Sequence, residues 1–78
     1  MKLIVLNLPR DFKEQSVAEL FKAYGNIKGC DLVMDKVTGK SKGFAFVEMA
    51  LDHEAEIAIR ELHGSKAGKN KIRVKQAD

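Results

Sequence analysis

The sequence predicts an α+β domain, a four-stranded antiparallel sheet that carries both of its helices on one face. Three observations predict it. Short runs of branched apolar residues and two segments with helical apolar spacing follow one another as strand, helix, strand, strand, helix, strand. A chain of 78 residues has room for one domain, 1–78, which buries only about 60% of the surface its unfolded form exposes. The third is a segment at 44–49 whose side chains alternate so cleanly that its two faces must meet different surroundings.

Each element follows from local chemistry. Residues 2–7 are short, rich in branched side chains and stopped by Leu8 and Pro9, as a strand buried on at least one face should be. From Glu14 the apolar residues Val17, Leu20, Phe21 and Tyr24 recur at helical spacing, and Gly25 stands where a left-handed terminator would. That is a helix of about eleven residues, with Lys13 in place of an ordinary cap. Ile27, Cys30, Leu32 and Val33 make a second strand ending at Asp35, and Thr38-Gly39 supplies the turn. The third strand, 44–49, puts Phe44, Phe46 and Glu48 on one face and Ala45, Val47 and Met49 on the other. Asp52 is placed to cap a second helix carrying Ala55, Ala58, Ile59 and Leu62, which Gly64 closes. Its alanines let it lie close to the sheet. After a Gly- and Lys-rich stretch, Ile72 and Val74 alternate with Arg73 and Lys75 in a last strand. Two strand-helix-strand units in this order make a ferredoxin-like βαββαβ sandwich, one sheet face covered and the other open.

Composition narrows the function classes. The net charge of +3 and pI near 9.1 hint at a polyanionic partner, but the distribution says more. Lys36, Lys40 and Lys42 in 36–47, with Lys66, Lys69, Lys71, Arg73 and Lys75 in 65–77, sum to +8 without one acid. The remainder is left at −5, much of it on the two helices. Cys30 stands alone, so neither an intramolecular disulfide nor a thiolate-rich metal site is available, and by its spacing with Ile27 and Leu32 it is expected to be a small, buried apolar residue. A reducing, cytoplasmic or otherwise intracellular setting is the expectation, nucleus and organelle included. The longest apolar run is far below the ~20 residues of a membrane helix. No Gly-rich phosphate loop, metal-spaced Cys or His pair, or nucleophile elbow is present, so the chain is expected to be no enzyme and to need no metal or cofactor. His53 and His63 have no partner at useful spacing and are expected at the surface.

Two phenylalanines on the open face are a cost unless something covers them. Unpaired bases do so well, because stacking a base on an aromatic ring contributes roughly 1–3 kcal/mol with little demand on sequence. Lys42 beside them can reach a phosphate, and Gly43 permits close backbone approach. The octapeptide Lys42, Gly43, Phe44, Ala45, Phe46, Val47, Glu48, Met49 resembles the first ribonucleoprotein signature of the RNA recognition motif, K/R-G-F/Y-G/A-F-V-x-F/Y, at seven of eight positions. The resemblance extends through Asn7-Leu8, Phe21, Tyr24-Gly25, Asp35, Thr38-Gly39, Leu62 and Gly64 to nearly the whole chain. In its compactness the chain is similar to the one-motif RNA-binding proteins of bacteria and organelles.

That resemblance implies a non-enzymatic binder of single-stranded RNA, with single-stranded DNA as a related partner. Phe44 and Phe46 would be stacking platforms and Lys42 a phosphate contact. Arg73 and Lys75 would flank the rings with charge, and Gln76 would offer backbone or side-chain hydrogen bonds to a base edge. Lys2, Ile4 and Leu6 would contribute charge and apolar contact from the first strand, with Asn7 as a polar contact at its end. Glu48 and Asp31 share the face and disfavour a phosphate above them. The chain departs from the pattern where Ile4 replaces an aromatic, Leu6 a common glycine, Met49 an aromatic, and Lys69-Asn70 a Gly-Arg pair. Ile4 and Leu6 make the open face unusually apolar, which motivates an alternative: a protein-interaction module or weak homodimer using that face.

Overall fold

A computed structural model describes residues 1–77. The elements are β1 (Lys2–Leu6), α1 (Glu14–Lys22), β2 (Ile27–Met34), β3 (Ser41–Met49), α2 (Asp52–Leu62), β4 (Lys66–Ala67), β5 (Asn70–Lys71) and β6 (Arg73–Gln76). The main sheet is antiparallel with strand order β2-β3-β1-β6, so the first and third strands lie at its centre. No helix among the described residues is long and apolar enough to cross a membrane.

Period-two alternation decides which side chains are buried. On β1 and β3 the residues Leu3, Val5, Ala45, Val47 and Met49 are all buried, and they meet Val17 and Phe21 of α1 and Ala55, Ala58 and Leu62 of α2. Ile72 and Val74 close the same layer. Each large side chain there contributes about 1.5–3 kcal/mol by leaving water, and the fully buried alanines allow α2 its close approach. The residues between them, Lys2, Ile4, Leu6, Phe44, Phe46 and Glu48, are half-buried or exposed on the opposite, uncovered face.

Four local expectations need correction. The first helix ends at Lys22, and Gly25 is not left-handed; it is small because a side chain there would run into Glu54. Asp52 is the first helical residue of α2 rather than its cap, and its carboxylate pairs with the Met1 ammonium at 3.2 Å. Leu51 takes the cap position and offers no side-chain acceptor. Cys30 is half-buried at the edge of the core, with its thiol donating to the Glu14 carbonyl at 3.6 Å. Finally, the Gly- and Lys-rich stretch contains a two-stranded hairpin, β4 with β5, which turns at Gly68 with φ of 61°. The remaining turn behaves as expected: Asp35 accepts from the backbone N–H of Val37 and Thr38, and Gly39 adopts a φ of 72°.

His63 is exposed, yet its ring does structural work. Its Nδ1 accepts the backbone N–H of Val74 at 3.1 Å, on the side of β6 that faces away from β1. Beside it the Gly64 N–H donates to the Ile72 carbonyl and the Ile72 N–H to the Ser65 carbonyl, at 2.8 and 2.9 Å.

Candidate nucleic-acid interface

The open face is organised in rows across the strands. Register places Arg73, Leu6 and Phe44 in one row, and Lys75, Ile4, Phe46 and Asp31 in the next. Lys2 and Glu48 oppose each other beyond them. Phe44 and Phe46 meet edge to face, their ring centroids 6.1 Å apart at an interplanar angle of 84°. Both are half-buried, so each ring keeps surface for a further flat group. Lys2 does more than flank them: its Nζ lies 5.1 Å from the Phe46 centroid and covers part of that ring.

Ile4 and Leu6 lie in the platform between β3 and β6, as the alternation requires. Arg73 and Lys75 are exposed on the same face. Gln76 stands opposite Leu3, on the parity of the core side chains, and is exposed at the end of β6. Asn7 adopts a left-handed φ of 64° just past β1, a conformation its short amide tolerates. Its Nδ2 donates to the Lys71 carbonyl at 2.8 Å, and Asn70 Nδ2 donates to the Asn7 carbonyl at 3.2 Å. This exchange ties the hairpin to the end of the sheet.

The fold also answers whether the two basic stretches meet. Lys42 from one and Arg73 from the other line a single cleft of about 510 Å³ beside Phe44. Lys36 and Lys40 stay in the exposed β2–β3 loop. Gly43 belongs to the cleft floor, with φ of 83°, and its carbonyl accepts the Leu8 N–H at 2.8 Å. Arg10 completes the lining, and sequence reasoning did not single it out. Its position follows from register: once Leu8 bonds Gly43, the residue two further along passes over the start of β3. At the opposite border Asp31 and Glu48 line a shallow depression of about 90 Å³ beside Phe46. The platform is therefore cationic at its Phe44 end and partly acidic at its Phe46 end.

Cys30 lies next to that acidic border. Burial first, and then the charges of Glu14 and Asp31, push its thiol up from 9.0 to about 11. It is a protonated, poorly nucleophilic group at neutral pH.

Comparison with known proteins fits this geometry. A family profile described as the RNA recognition motif matches residues 3–73. The chain is 38% identical over 99% of its length to the protein called RbpB of Nostoc sp., and covers 75% of that relative. Among solved structures, RNA binding protein PG1 superposes with a TM-score of 0.96 at 35% identity, over 99% of this chain and 93% of that one. A Sex-lethal protein/RNA complex superposes with a TM-score of 0.93 at 34% identity, over 99% of this chain and 46% of that one. The chain spans about a quarter of the length of the chloroplast RNA-binding proteins it also matches, such as CP29B of Arabidopsis thaliana, 36% identical over 95% of this chain and 26% of that protein.

Proposed function

The chain belongs to the RNA recognition motif family, and from that premise we propose that its open sheet face binds single-stranded RNA without catalysing any change in it. The observation that carries the reading is the pair of phenylalanine rings, Phe44 and Phe46, set on the uncovered face of the sheet beside Lys42 and Arg73. Each ring accepts a base, and the cations offset the charge of the phosphates between bases. With two rings, the platform serves about two to four nucleotides. Affinity falls with rising salt as lysines and arginines displace counterions. Related support comes from a Sex-lethal structure that is a protein/RNA complex.

Phe44, Phe46 and Lys42 carry the core of the contact. Lys2, Ile4, Leu6, Arg73 and Lys75 surround them, Asn7 lines the cleft, and Gln76 contributes at the end of β6. The alternative, a homodimer or protein partner on the apolar face, gains no support from these relatives. The expected setting is the cytoplasm or another reducing compartment, in keeping with a single thiol. The test is a titration of short RNA oligomers at low salt, followed by amide resonances. Shifts of Phe44 and Phe46, with RNA recovered intact, are the expected result; unmoved signals at both rings would reject the reading.

A further inference from the structure

We propose that the cleft beside Phe44 is a phosphate-anchoring subsite, in which Arg10 grips the phosphodiester next to the Phe44-stacked base and draws the strand off the sheet toward the β4–β5 hairpin. The inference rests on the RNA reading above and adds to it a residue that lies outside the sheet.

Arg10 is held in place before any ligand arrives. Its Nη1 donates to the Ser41 carbonyl at 3.1 Å, thirty-one residues away in sequence. Its Nε passes over Gly43, 2.9 Å from where a β-carbon would stand. A guanidinium carries five N–H donors, and among the described residues the hydrogen bond to Ser41 is the one Arg10 makes to a protein acceptor. A fork oriented by this bond suits the oxygens of a phosphate, and the bond removes part of the side-chain freedom that binding would otherwise cost.

The surroundings select the same chemistry. Lys42 and Arg73 share the cleft with Arg10, Asn70 adds an amide, and no carboxylate lines it. Its volume of about 510 Å³ lies within the span of about 300–1,000 Å³ typical of ligand pockets. The acids Asp31 and Glu48 sit at the other end of the platform, where Lys2 lines the same depression, so the cations without nearby acids are those at the Arg10 end. Arg10 and Asn70 also line an adjoining second cleft of about 530 Å³, whose other walls are Pro9, Asp11, Phe12, Gly68 and Lys69. A strand leaving Phe44 by way of Arg10 therefore has somewhere to go.

The test is a walk along an RNA pentamer in which each phosphate in turn is replaced by a neutral methylphosphonate. Binding is measured for the wild type, Arg10→Gln and Arg10→Lys at several salt concentrations. One position is expected at which neutralisation weakens the wild type about two- to fivefold and leaves Arg10→Gln unaffected. The salt slope of Arg10→Gln should be shallower by about 0.7, the value of one phosphate contact on a single strand. Arg10→Lys should keep the slope and lose part of the affinity. Should Arg10→Gln disturb the amide fingerprint, the Arg10 Hε signal of the wild type decides the matter: it should shift with the natural pentamer and stay still with the single modified position. Equal slopes and equal penalties in wild type and Arg10→Gln, or an Hε signal that ignores every replacement, would overturn the subsite. In that case Phe44 and Phe46 would still shift if the platform binds RNA. Rings that stay still in the wild type would reject the platform and the subsite together.

Discussion

Lys2 Nζ stands over the Phe46 ring, 5.1 Å from its centroid, where it competes with a base for ring surface. An exposed cation–π contact of this type is worth about 0.5–1 kcal/mol, and stacking a base about 1–3 kcal/mol. The base wins, and the displaced ammonium is then free to approach a phosphate.

Lys2→Gln should therefore change RNA affinity by less than about threefold, because the ring is released as the charge is lost. Phe46→Ala should cost about 1–3 kcal/mol. Fluorescence anisotropy with labelled RNA reads both. A loss for Lys2→Gln as large as that for Phe46→Ala would show that the cation, and not the ring, supplies the binding energy there.

Ile4 lies between Phe46 and Lys75 on the platform, half-buried and clear of the core. Ile4→Phe should therefore fold normally, since phenylalanine suits a strand, and should tighten RNA binding by about 1–3 kcal/mol through one more stacked base. Calorimetry with a trinucleotide checks it. Unchanged affinity would mean that the RNA does not pass over β1.

Gly43 has a φ of 83°, and a β-carbon there would meet Arg10 Nε at 2.9 Å and the Leu8 carbonyl at 3.4 Å. Gly43→Ala should destabilise the fold by about 1–2 kcal/mol from backbone conformation, with the Arg10 side chain displaced as well. Urea unfolding measures the first effect. The second appears as weakened RNA binding under conditions where the variant is fully folded.

Cys30 should react slowly and shape stability only in alkali. Its folded pKa of about 11 lies above the ordinary 9.0, so between those values the unfolded chain has lost a proton that the folded chain keeps. This contribution is fully present below 9.0 and disappears as pH rises through about 11. Cys30→Ala should therefore show a flatter decline in stability over that window. Alkylation of the native protein at neutral pH should run about ten- to a hundredfold slower than that of the unfolded chain.

Much of this was legible in the sequence because period two is a strict rule. The alternation from Phe44 to Met49 assigned both faces of β3, and Ala45, Val47 and Met49 are the buried set. What escaped notice depends on contacts between distant segments. Arg10 sits in a loop without any local pattern, and only the Ser41 carbonyl and the Leu8–Gly43 bond put it in the cleft. The β4–β5 hairpin has two residues per strand, too few for alternation to register against its lysines and glycines. Gln76 pairs with Leu3 at a strand end and is exposed there, so parity alone does not fix the reach of its side chain. Lys2 was correctly placed on the face, but its reach over Phe46 is a property of a long, flexible side chain that spacing cannot specify.

The bond from the Val74 N–H to the His63 ring has a bearing on solubility. Outermost strands invite neighbouring molecules to extend the sheet, because their outward amides and carbonyls are unsatisfied. Here the imidazole and the Gly64–Ser65 backbone already occupy those groups along the start of β6. Sheet extension by a second molecule would first have to break this chain's own hydrogen bonds, so at that border the protein is guarded against self-association.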